Sequence, residues 1–154
     1  MSSTTTTTVA EIPGLKGKTL GVSEWFEVTQ ERVNLFADAT GDHQWIHVDP
    51  ERAAAESPFG TPIGHGFLTL SLYVPMWQQI LVITDQRMGV NYGVNKVRFP
   101  APVPVGSKIR MSATLTDVEE VSGGGLHLTV SAVIEREGAD KPVCVLETLT
   151  RVYG

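Results

Sequence analysis

A chain of 154 residues with 42% hydrophobic and 19% charged side chains has the size and make-up of one globular domain with its own core. A net charge of −5 and a pI near 5.3 argue against nucleic acid or an anionic membrane as the main partner. The single cysteine, Cys144, excludes an intramolecular disulfide and suits a reducing cytoplasm; its apolar, alternating surroundings predict a buried, inert thiol.

The opening stretch MSSTTTTTVAEIPG has neither the basic nor the apolar region of a signal peptide. Its threonine run predicts a disordered tail over residues 1–14, ahead of a single domain over residues 15–154. No apolar window approaches the roughly 20 residues of a membrane span. Residues 19–28 read as an extended segment, with Trp25 and Phe26 bound for core or interface. The following TQERVNLFADATG is punctuated as a helix, with Thr29 as N-cap and Gly41 where a left-handed residue ends it. Val33, Phe36, Ala37 and Thr40 fall at the spacing of a buried face. Asp42 stands immediately beyond that stop.

Asp49-Pro50 is a second helix start, an N-cap followed by proline at the first helical position. Gly60, Pro62 and Gly64 mark an irregular loop. The run from Gly66, GFLTLSLYVPMWQQILV, is apolar nearly all round and predicts a central helix over residues 66–79, kinked or cut short near Val74 by Pro75. From Val90 the period changes to that of strands. The prolines of PAPVPVG exclude a central strand there. Ile109, Met111, Ala113 and Leu115 share one strand face, and Leu126, Leu128, Val130, Ala132 and Ile134 another, which leaves His127 on a solvent side. The turns SGGG and EGADK predict antiparallel hairpins. The sum is an α+β domain whose curved antiparallel sheet wraps the one apolar helix, with a sheet edge left to pair with a second copy.

GDHQWIHVDPERAAAESPFGTPIGHGFLTLSL, with Gly41-Asp42, His47, Asp49-Pro50 and His65-Gly66 as anchors, resembles the signature of the MaoC-like (R)-specific enoyl-CoA hydratases. NYGVNKVRFPAPVPVGSKIR is similar to the branch related to nodulation protein N. The resemblance covers residues 20–152 and implies a single hot-dog fold with a short helical overhang. It also implies a homodimer and reversible addition of water to trans-2-enoyl thioesters, giving (3R)-3-hydroxyacyl thioesters of coenzyme A or acyl carrier protein. By the same resemblance Asp42 and His47 hold and activate the water, and the Gly66 N–H binds the thioester carbonyl. No cofactor and no metal is implied. Gln44, His65, Asn91 and Tyr92 are candidates for contact with substrate. One departure stands out: the family carries Asn-Pro where this chain has Gln44-Trp45, a turn less constrained without its proline.

The chemistry suits these residue types. A positioned acid/base pair contributes about 10²–10⁴ in rate. A backbone N–H in the first turn of a helix has no intrahelical partner and sits at the positive dipole end, ready for an enolate-like oxygen. His43 and His47 are four apart, but Gly41 and Asp49-Pro50 bracket a turn, not the helix that such a metal pair requires. Lys96, Arg98, Lys108 and Arg110 sit on strand ends without a glycine-rich phosphate loop. Two other functions fit a hot-dog protein: thioester hydrolysis, disfavoured by the lack of any Asp or Glu in FLTLSLYVPMWQQ, and a non-catalytic acyl-binding module.

Overall fold

The computed structural model describes residues 1–154. Its core is a six-stranded antiparallel sheet covering a broken central helix. Strand β1 (Thr5–Thr7) precedes a 3-10 turn at Val9–Leu15, β2 (Thr19–Val22) and β3 (Phe26–Glu27). Helices α1 (Gln30–Thr40), α2 (Trp45–Val48) and α3 (Pro50–Glu56) form the overhang, and α4 (Gly66–Ser71) and α5 (Tyr73–Ile80) the central helix. Then come β4 (Leu81–Ile83), β5 (Met88–Arg98), β6 (Lys108–Val121), β7 (Gly125–Arg136) and β8 (Cys144–Tyr153).

The sheet runs β2-β6-β7-β8-β5, with β3 also paired to β6. Its period-2 pattern places Ile109, Met111, Leu115, Leu128, Val130 and Ile134 inward, none of them more than 0% exposed. They meet Leu68, Leu72, Tyr73, Met76 and Ile80 of the central helix in one core. Each such aliphatic burial is worth about 1.5–3 kcal/mol before the entropy cost of ordering the chain. The β6–β7 hairpin turns on Gly123 and Gly124, both at positive φ. Burial alone pushes the Cys144 thiol up to about 11, so the inert reading holds.

Three expectations need correction. The tail over residues 1–14 is ordered: Thr5–Thr7 pair in parallel with β4, and Ile12 is fully buried in the core. β-branched threonine suits a strand once a partner edge exists, and that edge is supplied by residues 76 positions away. The helix over residues 66–79 is two helices parted at Leu72, not at Pro75. The break lies one turn ahead of the proline, which puts Pro75 in the first turn of α5, where its missing N–H costs nothing. Thr40 is exposed rather than part of a buried face; its hydroxyl turns back to the Phe36 carbonyl at 2.7 Å.

Candidate active site

Helix α1 ends as its sequence dictates. The Thr29 side chain accepts from Arg32 N at 3.1 Å, and Gly41 closes the helix at φ 80° with its N–H on Ala37 O. Only glycine takes that conformation without strain, and it turns the chain so that Asp42 leaves the helix axis. The Asp42 carboxylate is half exposed, and its Oδ1 accepts from Gln44 N at 3.4 Å, a local turn contact.

Short α2 then returns His47 into the protein, where it is 7% exposed. The turn is held where the family proline is missing. His47 N bonds Gln44 O at 3.0 Å, Asp49 N bonds Trp45 O at 3.1 Å, and the Arg52 guanidinium lies 4.3 Å from the Trp45 ring centroid. From below, Ile63 N bonds Ile46 O at 3.0 Å, while Gly64 N bonds Val103 O at 2.8 Å. The 59–65 loop is therefore stitched both to α2 and to the segment following β5. His47 Nδ1 donates to the Ile63 carbonyl at 2.6 Å, leaving Nε2 as the free acceptor. Burial holds the His47 pKa below its usual 6.5, against the raising effect of the Ile63 bond; the nearby His65 lowers it further and Asp42 raises it.

His65 caps α4 and is 2% exposed. Its Nε2 faces the Asp42 main-chain oxygen at 3.0 Å and lies 4.0 Å from Asp42 Oδ2. Its ring stacks on that of His47, with centroids 3.9 Å apart. Asp42, His47, His65 and Gly66 thus line one open cavity of about 270 Å³, joined by Phe67 and Phe99. A neighbouring cavity of about 330 Å³ shares His47, Gly66 and Phe99 and runs back under Ala101 and Val103.

Of the sequence candidates, Asp42, His47, Gly66 and His65 converge. Three do not join them. Gln44 is exposed at the start of α2 and contributes only main-chain contacts. Asn91 lines a different cavity of about 290 Å³, with Leu70, Tyr73, Val74 and Thr148. Tyr92 points to the other face of the sheet, edge-on to His127 and under the Arg151 guanidinium. His127 is accordingly half-buried, taking an Arg151 Nε bond at 3.2 Å, rather than simply solvated. Phe99 was not legible as a site residue: it follows a strand and precedes a proline, and no spacing rule ties it to Gly66. A Cβ on Gly66 would come within 3.1 Å of its ring.

His43 turns away to Asp38 at 2.9 Å, so it makes no metal pair with His47. Ligand atoms of Asp42, His47 and His65 do lie within 4.8 Å of one another. Both imidazoles already face main-chain carbonyls, and the remaining His65 nitrogen is buried. Two such side-chain atoms within 4.8 Å of each other can share one water at ordinary hydrogen-bond lengths of about 2.8 Å.

An antiparallel sheet wrapped around a buried helix is the hot-dog arrangement, and here a carboxylate, two imidazoles and the first residue of that helix line one cavity. The model of the MaoC like domain matches residues 12–138, and the chain belongs to this family. It is 54% identical over 143 residues to 3-hydroxyacyl-thioester dehydratase Z of Mycobacterium tuberculosis, covering 93% of this chain and 94% of the relative. It is 45% identical to nodulation protein N of Rhizobium leguminosarum bv. viciae, covering 92% and 89%. Among solved structures, the monoamine oxidase regulatory protein of Archaeoglobus fulgius superposes with TM-score 0.73 at 22% identity, over 89% of each chain. The (R)-hydratase of A. caviae, described as involved in PHA biosynthesis, superposes with TM-score 0.67 at 23% identity, over 84% and 94%. These structures establish the hot-dog fold.

Proposed function

We propose that the protein is an (R)-specific hydro-lyase that adds water reversibly to trans-2-enoyl thioesters, yielding (3R)-3-hydroxyacyl thioesters. The observation that carries this reading is the convergence of an open carboxylate, an imidazole with a free Nε2, and the first N–H of a buried helix on one cavity. A water between Asp42 and His47 gives one proton to His47 Nε2 as its oxygen bonds to the β-carbon. Asp42 accepts the water's other O–H and orients it. The enolate oxygen is received by the Gly66 N–H, and the imidazolium returns the proton to the α-carbon, so one water is added in all. Gly66 has no Cβ to hold the thioester away from its amide. The sequence identity to a 3-hydroxyacyl-thioester dehydratase supports the substrate class.

The carrier is coenzyme A or acyl carrier protein, and the acyl chain lies along α4 and α5 toward the cavity at Leu70, Val74 and Asn91. The protein acts as a homodimer. Strand β5 is an unpaired sheet edge whose Met88, Val90, Tyr92 and Val94 are 41–56% exposed, an apolar edge that a second copy covers. No helix is long and apolar enough to cross a membrane, and a cytoplasmic setting fits the single buried thiol. Incubation with crotonyl-CoA, followed by chiral analysis of the product, tests the reaction: 3R-hydroxybutyryl-CoA is expected. The 3S product, or release of free coenzyme A thiol as from a thioesterase, contradicts it.

A further inference from the structure

The geometry points to His65 as a positioning residue, whose single imidazole registers the Asp42–His47 pair against the Gly66 N–H. This rests on the acid/base reading of Asp42 and His47.

The ring makes two different contacts. Its Nε2 meets the Asp42 main-chain oxygen at 3.0 Å. A carbonyl only accepts, so Nε2 carries a proton. One face stacks on His47, with centroids 3.9 Å apart and planes 25° from parallel, and Phe36 packs against it at 4.9 Å. The bond fixes where the chain places the carboxylate. The stack fixes the plane of the imidazole, and thereby the direction of its Nε2. The very next peptide carries the Gly66 N–H, so one residue relates all three reacting partners.

Packing alone does not call for histidine here. Nδ1 is buried with no hydrogen-bond partner, an orphan that a phenyl ring of similar size would not create. The Nε2 contact is what an apolar ring would lack. The titratable groups facing His47 are Asp42, from the turn after α1, and His65, at the head of α4. Helix α1 offers only the Gln30 amide, bonded to His47 O at 2.8 Å, and the segment after β5 offers the apolar Phe99, Ala101 and Val103.

Two variants separate the contacts. His65→Gln keeps a donor and removes the ring; His65→Phe keeps the ring and removes the donor. Hydration of crotonyl-CoA is measured across pH and expressed per folded molecule, using far-UV circular dichroism and thermal melting. Both variants are expected to lose about 10²-fold in kcat, the scale of an ångström misplacement, with KM altered less. In both, the acid limb of kcat/KM moves to higher pH, because the neighbour opposing protonation of His47 is gone. A variant that melts lower but turns over at the wild-type rate per folded molecule, with its acid limb unmoved, overturns the assignment. So does a loss carried wholly by KM. If the acid limb survives in His47→Ala, the failure lies in the Asp42–His47 reading and not in the role given to His65.

Discussion

His47 directs Nδ1 at the main-chain carbonyl of Ile63, 2.6 Å away. That contact fixes the tautomer: the proton sits on Nδ1 and a lone pair on Nε2 faces the cavity. The carbonyl comes from a loop held on one side by Ile46 O and on the other by Val103 O. An imidazole held this way is as rigid as the two segments that clamp its support.

The first expectation concerns pH. Burial, the largest influence on His47, holds its pKa below 6.5, so the ring is uncharged at pH 7 and a competent base there. kcat/KM should stay level through neutrality and fall about tenfold per pH unit only well below 6.5, as the ring takes up its proton. A pH–rate profile checks this; a limb centred above 6.5 would mean that burial does not govern the group.

Gly66→Ala separates the helix from its chemistry. The backbone at Gly66 is not at positive φ, and alanine is the better helix former by about 1 kcal/mol. The added methyl, however, would sit 3.1–3.3 Å from the Phe99 ring, in the cavity the thioester enters. Thermal melting should move little while kcat falls by about 10- to 10²-fold. Phe99→Ala in the same background should recover part of that loss.

The turn at Gln44-Trp45 depends on Arg52. Its guanidinium lies over Trp45 and also donates to Glu56 at 2.7 Å. Arg52→Ala should cost about 0.5–1 kcal/mol in a melting experiment. It should lower kcat as well, through looser placement of His47. Arg52→Lys should not fully restore either quantity, because an ammonium cannot lay a planar face on the indole.

Punctuation carried most of what could be read from sequence. Gly41, Asp49-Pro50 and His65-Gly66 each have one physical use, and the structure spends each as a stop, a cap and a start. Strand faces were legible for the same reason, since period 2 leaves only one inward set. What escaped depends on distant partners. The threonine run becomes a strand only because β4 arrives beside it. The break at Leu72 is a choice among turns upstream of Pro75. Tyr92 lies in an irregular stretch of β5, where the pairing shifts between Asn91 and Gly93, so counting by twos does not settle its face. Phe99 reaches Gly66 across more than thirty residues of chain, and no local pattern encodes that.

The central claim is that Asp42 and His47 share the water that is added. Loss of the conjugated enoyl absorbance of crotonyl-CoA, followed for the wild type, Asp42→Asn and His47→Ala at pH 7, tests it most directly. The account predicts wild-type turnover and a loss of at least about 10²-fold in kcat for each variant, with folding intact. Loss of both groups together should cost little more than either alone, since they serve one water. Equal rates for the wild type and the two single variants would contradict the account.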